Sequence, residues 1–315
     1  MKRRMRNRQL NTPVAFLVFN RPDTTGKVFE AIREARPLRL LVVADGPREN
    51  RLGEAEKCVA VRKIIEDVDW PCEVQRNFSD FNLGCKRRIS SGLDWVFEMV
   101  DEAIILEDDC LPHPDFFPFC EELLTRYRDE ERVMMIGGTN YLLDSLNIKE
   151  SFCFSRYFSI WGWATWRRAW EKYDITMKDW NELKKRNCVN SFYTQPFMRK
   201  HINTIFDKAY KNEVDTWDTQ WFYACLFNNG LSIVPKKNLI SNIGLVGTHT
   251  TDDYSNHNFP VFDIHPEKML YPENIYPNCL YDNKFFNRKI RRSLETKIKN
   301  RVKILISFIK RYSSD

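Results

Sequence analysis

Three carboxylates stand side by side at Glu107, Asp108 and Asp109, directly after the apolar run Ala103 to Leu106. Two like charges about 4 Å apart repel by about 1 kcal/mol in water and about 4 kcal/mol at an effective dielectric of 20. Such a cluster calls for a neutralising cation. Hard carboxylate oxygens suit Mg²⁺ or Mn²⁺, ions that complete their shells with water and substrate phosphates. A solvated acidic turn is the plainer alternative, but a position at the end of a buried strand favours the metal. Lys86, Arg87 and Arg88 open a helix just after Gly84. A helix N-terminus disfavours cations yet favours phosphate, so a diphosphate contact and a solvated basic turn both stay open. Trp161, Trp163 and Trp166, with Gly162 among them, offer either a wall on which a sugar stacks or plain core packing. His249, in Gly247-Thr248-His249, could contact metal or diphosphate, or serve structure alone. Asp218, taken by itself, reads first as a helix N-cap. Two further signals fail. Thr24-Thr25-Gly26-Lys27 mimics a phosphate loop, but Arg21 stands where glycine is needed and Val28 replaces the Ser or Thr. Asp252-Asp253 reads as an ordinary acidic pair in a loop.

Positioning these residues requires a scaffold, and the first half of the chain supplies its pattern. Pro13 to Asn20 and Arg39 to Ala44 are continuous apolar runs, expected as strands buried on both faces. Helices are expected from about Thr24 to Glu34, from Gly53 to Val68, and after Asn82-Leu83-Gly84. Val74 to Arg76 and Ala103 to Leu106 complete an alternation of strand and helix that argues for a mainly parallel sheet with right-handed crossovers. Ligands bind such sheets beyond the carboxyl ends of the strands. That rim would gather Asn20, Arg21, Asp45 and the acidic triplet. Later, Val133 to Gly138 and Leu231 to Val234 read as strands, Thr216 to Phe227 as a helix, and Ile160 to Trp170 as a tryptophan-rich stretch. A loop follows through Asn242, Gly244, Gly247 and His249.

Length and composition fit one large α/β domain with an appendage: 315 residues, 43% apolar, 29% charged. No apolar run is long enough for a membrane-spanning helix. Met1 to Arg8 is basic but leads into no apolar segment, so no secretory signal is expected. Nine scattered cysteines without a C-x-x-C pair suit a reducing, cytoplasmic setting. The net charge of +6 conceals a split: Met1 to Arg8 carries +5 and Lys284 to Asp315 carries +9, leaving Gln9 to Asn283 at −8. No nucleic-acid platform is expected, because the basic tails lack interleaved aromatics. Within the C-terminal tail, Ile290, Leu294, Ile298, Val302, Leu305 and Ile309 recur every three or four residues amid Lys and Arg. That is the pattern of a basic amphipathic helix on an anionic membrane surface, or of a helix packing its stripe on the body. The expected division is a basic N-terminal tail over 1–12, a catalytic domain over 13–283 and the amphipathic helix over 284–315.

The segment ILEDDCLPHPDFF, Ile105 to Phe117, resembles the acidic metal-binding motif and following helix of glycosyltransferases with the GT-A fold. The likeness is to the inverting N-acetylglucosaminyltransferase I group and its bacterial relatives. It continues in order through PVAFLVFNR, VVADGP, FSIWGWATW and WDTQW, covering roughly Pro13 to His249. What the resemblance implies is a GT-A-like α/β fold and a metal-dependent transfer of sugar, with inversion, from a nucleotide-sugar donor to a glycan or lipid-linked acceptor. Asp109 would bind the Mn²⁺ or Mg²⁺. Glu107 and Asp108 would contact ribose and sugar or support the metal. Asp45 would accept a hydrogen bond from the donor base, and Asn20 and Arg21 would line the nucleotide pocket. Trp161 and Trp163 would face the sugar, and Asp218 would deprotonate the acceptor hydroxyl. Here the chain departs from the family, because Thr219 stands where a second acid is found; Asp215 is the rival base. A cell-surface glycan pathway at the inner membrane face is the implied setting. A sugar-nucleotide nucleotidyltransferase and a non-catalytic membrane-surface protein are the alternatives.

Overall fold

The structure, a computed structural model, describes residues 9–142, 147–244 and 259–291. His249, Asp252-Asp253, the first eight residues and the tail beyond 291 lie outside the described residues.

In chain order the elements are β1 (Val14–Val18), α1 (Pro22–Ala35), β2 (Arg39–Ala44), α2 (Glu54–Ile64), β3 (Glu73–Phe78), α3 (Gly84–Met99) and β4 (Glu102–Glu107). There follow β5 (Cys110–Pro112), α4 (Phe116–Arg126), β6 (Val133–Gly137), β7 (Phe152–Ser155), β8 (Trp163–Trp166), α5 (Arg167–Trp170), α6 (Trp180–Lys185) and α7 (Pro196–Tyr210). The last are α8 (Asp218–Phe227), β9 (Leu231–Pro235), β10 (Ile240–Asn242) and α9 (Cys279–Phe285).

The apolar runs form doubly buried strands because both of their faces meet helices. On β1, Val14, Phe16 and Val18 join one core with α1 and α4, while Ala15 and Leu17 join a second core with α3, α5 and α8. On β4, Ile104 and Leu106 face the first core, and Ala103 and Ile105 the second. This two-residue alternation runs to the last residue of β4, directing Glu107 toward the α3 and α8 side. Eight strands make one sheet in the order β3-β2-β1-β4-β8-β6-β9-β7. The β3, β2, β1 and β4 pairings are parallel, as expected for strands joined by helical crossovers.

Beyond β4 the sheet is mixed, not mainly parallel. β8, expected only as a tryptophan-rich stretch, enters antiparallel between β4 and β6, and β7 closes the edge antiparallel to β9. Trp163 pairs with Ile105 and Trp166 with Glu102. Gly162, which precedes β8, has φ +57°, the left-handed region that favours glycine. A side chain there would also collide with Ile240. The chain is thus α/β, with a large mixed sheet flanked by helices. A third core forms around Trp180, Phe206, Tyr223 and Tyr281 from α6, α7, α8 and α9. α9 runs across the position at which the tail was expected to begin, and Phe285 and Phe286 are buried in that third core. Among the described residues no helix is long and apolar enough to cross a membrane.

Candidate active site at the strand switch point

The chain leaves β1 on one side to reach β2 and returns after β3 to place β4 on the other side. The carboxyl ends of β1 and β4 therefore flank the point where strand order reverses, the crevice in which open α/β sheets take ligands. Leu17 on β1 lies in register with Glu107 on β4. The Phe19 amide donates to an Asp108 carboxylate oxygen at 3.2 Å, locking the two strand ends together.

The neutralising charge within the described residues is an arginine. Nη1 of Arg21 lies 2.5 Å from Asp109 and its Nη2 3.2 Å from Asp108. Burial of the guanidinium opposes its charge, but Asp108 and Asp109 outweigh burial and hold it more firmly protonated. Arg21, expected to line a nucleotide pocket, is paired with the acids and remains partly exposed. Asp108 is buried, and burial pushes its carboxyl up to about 6 against the pull of Arg21. Burial, followed by Asp109 and Asp108, pushes Glu107 up to about 8. Its Oε1 is buried without a hydrogen-bond partner among the described residues.

One arginine leaves this triplet short of cation. Burial and mutual repulsion push Glu107 and Asp108 up even with Arg21 beside them; a divalent ion would let all three acids ionise, and Glu107 Oε1, without a partner among the described residues, is an acceptor open to one. Room is kept as well: a Cβ at Gly244 would strike Asp109 and come within 2.8 Å of Arg21. The Ile243 amide donates to the Asp109 carbonyl at 2.8 Å, so the strand end of β10 holds this glycine against the acid. Carboxylate oxygens are the donors that Mg²⁺ or Mn²⁺ take, although in this structure the three acids do not bring one oxygen each within 4.8 Å of one another, as His113, Asp115 and Asp263 do.

Across the crevice stands Asp218 at the start of α8. Trp217 and Trp221, four apart and on one face, are both buried. Trp217 stacks on Trp163 at 5.7 Å, and Trp221 lies 5.6 Å from Trp163 and 5.3 Å from Trp170. These four indoles anchor the first turn of α8, and Asp218, one residue on from Trp217, emerges beside a cavity. The Trp217-Asp218-Thr219-Gln220-Trp221 spacing thus fixes the acid through its tryptophans. Thr216 donates its hydroxyl to Asp218. Asp218 is close enough to Glu107 to raise that carboxyl further.

Several expected roles change. Trp163 is fully buried in the four-indole cluster, so it has no face for a sugar and serves core packing. Trp161 is half-buried and packs on Tyr141 and Phe259 at 5.4 and 6.3 Å. Asp45, expected to meet the donor base, is buried; its two oxygens accept from the Gly46 and Leu83 amides and the Asn82 side chain, each at 2.9 Å. Asp45 ties its own loop to the one preceding α3. Asn20 donates to Glu54 at 2.8 Å. The N-terminus of α3, expected to hold diphosphate, is filled by Asp215, whose carboxylate accepts from the Cys85 and Lys86 amides at 3.1 and 3.0 Å. Asp215 thus serves as a cap of α3, while Asp218 lines the cavity. Lys86 donates to Asn212 at 2.7 Å, and Arg87 is exposed. Arg88 turns inward to the Ala44 carbonyl and to Asn77, joining the ends of β2 and β3.

Sequence reading missed Glu54 and Arg48. Glu54 is buried at the first turn of α2 and accepts from Arg48 through backbone and guanidinium, and from Asn20. Those hydrogen bonds, Arg48 foremost, lower its carboxyl to about 2. The Arg48 guanidinium lies 5.6 Å over the Phe19 ring, completing a polar rim beside the β1 end. The one available signal was an acid just after Gly53 and six residues beyond an arginine. A second acidic group, His113, Asp115 and Asp263, is accounted for by folding. Asp115 accepts from the Ile264 and His265 amides, and His113 reaches Asp263 at 3.4 Å, which pins the segment after 259 to α4.

No family model matches the sequence, and no curated protein does. Among solved structures, a UDP-glucose pyrophosphorylase complexed with UDP-glucose aligns with 47% of this chain at 9% identity and a TM-score of 0.25. The chain spans 64% of that protein's length. A likeness so slight carries no argument, and the fold and site rest on their own geometry.

Proposed function

We propose that this chain is a metal-dependent glycosyltransferase acting, with inversion, from a nucleotide-sugar donor onto a glycan or lipid-linked acceptor. The observation that carries this reading is an under-neutralised carboxylate triplet at the strand switch point, with a separately anchored carboxylate, Asp218, across the crevice. Glu107 and Asp109 would hold the divalent ion, with Asp108 fixing the strand end and Arg21 keeping the acids ordered. When bound, the ion supplies Lewis-acid stabilisation of charge on a departing diphosphate. Asn20, Phe19, Arg48 and Glu54 form the rim where the donor's nucleoside would lie. Asp218 accepts the proton of the acceptor hydroxyl as that oxygen bonds to the anomeric carbon and the carbon–diphosphate bond breaks. The catalytic unit in this reading is 13–283 with the rest of α9, and the basic tail would hold it at the cytoplasmic membrane face.

The test is a donor screen. Melting in MnCl₂ with UDP-, GDP- and dTDP-sugars should show one donor class raising Tm, since a ligand at 100 times its Kd adds about 2.7 kcal/mol. Turnover with that donor should release a nucleoside diphosphate. Release of a nucleoside triphosphate on adding pyrophosphate would assign a nucleotidyltransferase instead. No shift with any donor would refute the reading.

A further inference from the structure

A cavity of about 190 Å³ opens beside Asp218. Phe158 and Phe222 stand in its wall with ring centres 5.9 Å apart, and Ile205 lies alongside. Its polar members besides Asp218 are Thr219, His201 and Tyr157. We infer that this cavity receives one pyranose ring of the acceptor, seated with its apolar C–H face on the phenylalanines and one hydroxyl toward Asp218. The inference rests on the glycosyltransferase reading for the role of Asp218, and it adds the chemical class of the acceptor.

Size comes first. Pockets for drug-sized ligands run to roughly 300–1,000 Å³, so this smaller space suits a single ring and not a long isoprenoid chain. Second, the wall offers polar partners to a ring's hydroxyls as well as apolar surface, since Asp218, Thr219 and His201 line it together with the phenylalanines. Third, the wall is held in place. Phe285 on α9 also lines the cavity, and α9 is fixed to β7 because Asp282 accepts from Ser155 at 2.6 Å and from the Arg156 amide at 3.3 Å. Aromatic walls with few polar groups and one carboxylate at the rim suit a ring with one apolar face and several hydroxyls.

Saturation-transfer NMR tests this on the full chain, with methyl α- and β-pyranosides of glucose, galactose and N-acetylglucosamine as probes and n-hexanol as the apolar control. At least one pyranoside should receive saturation from the wild type and from Asp218→Asn. On Ile205→Trp, which fills the cavity, and on Phe158→Ala, which removes a stacking ring, that signal should fall at least tenfold. Melting curves will show whether either variant fails to fold; the other then decides. Hexanol binding alone, no pyranoside binding, or pyranoside signals unchanged in both variants would overturn the inference. The donor shift in MnCl₂ separates the two readings. If Ile205→Trp keeps the donor shift but pyranoside signals never depended on it, only the acceptor cavity is wrong. If no donor shifts the wild type, the glycosyltransferase reading fails even where the cavity binds sugar.

Discussion

Replacing Arg21 by Met keeps the aliphatic stem and removes the guanidinium that bridges Asp108 and Asp109. The side chains of those acids are only 4% and 13% exposed, and Arg21 is 26% exposed. Removing one partner of a buried pair costs about 3–5 kcal/mol, because the remaining charge stays buried. The partial exposure of Arg21 places this case near the lower figure, about 3 kcal/mol, or a Tm fall of about 5 °C for a chain of this size. The loss should depend on pH in a definite direction. Burial already pushes Asp108 up to about 6 with Arg21 opposing the rise. Without Arg21 that carboxyl rises further, so acidification to pH 5.5 lets it take up a proton and shed its unpaired charge. The deficit should therefore shrink by at least about 1 kcal/mol between pH 7.5 and 5.5. Added MnCl₂ should raise the Tm of the variant at pH 7.5 by more than it raises the wild type, since one fewer cation shares the acids. Melting curves at two pH values, with and without MnCl₂, are the assay. A variant that melts within a degree of wild type at pH 7.5 without metal would refute the ion-pair reasoning. An absent Mn²⁺ shift in both proteins would remove the triplet as a divalent site.

Four further outcomes are expected. Asp218→Asn should keep the donor-induced Tm shift but lose turnover by about 10²-fold or more, as removal of a general base does; wild-type turnover would place the base elsewhere. Asp215→Ala should cost about 1–2 kcal/mol through the lost cap of α3 and speed amide exchange at Cys85 and Lys86 while turnover persists, and unchanged exchange would count against the cap. Glu54 is held at about 2 against an ordinary 4.5, so its stabilisation is full above pH 4.5 and fades as pH falls toward 2. With Arg48 a third exposed, Glu54→Gln should cost about 1–2 kcal/mol at pH 7 and converge on wild type near pH 2, as paired melts will show. A chain ending at Arg291 retains Phe285 and Phe286 in the core; it should stay folded and turn over soluble acceptors, yet lose salt-sensitive co-sedimentation with anionic vesicles. Equal sedimentation of both chains would assign membrane binding to the body instead.

The local pattern of the sequence determined what local physics can determine. Unbroken apolar runs at Val14–Val18 and Arg39–Ala44 admit only strands covered on both sides, and the crossovers between them impose parallel pairing. An acidic triplet at the end of such a strand must then lie at the carboxyl edge of the sheet. The helix that opens at Asp218 was likewise legible, though the burial of Trp217 and Trp221 was not. Tertiary structure decided the rest, because the deciding contacts join residues far apart in the chain. Asp215 caps a helix 130 residues before it, and Arg21 finds Asp109 across 88 positions. No spacing rule marks these two as structural and Asp218 as the acid left beside a cavity. Trp163 looked equally suited to a sugar or a core until β8 entered the sheet antiparallel beside β4, a placement set by its non-local partners. Once there, the strand's two-residue alternation turned that indole inward against Trp217 and Trp221, where close packing leaves no surface for a ligand.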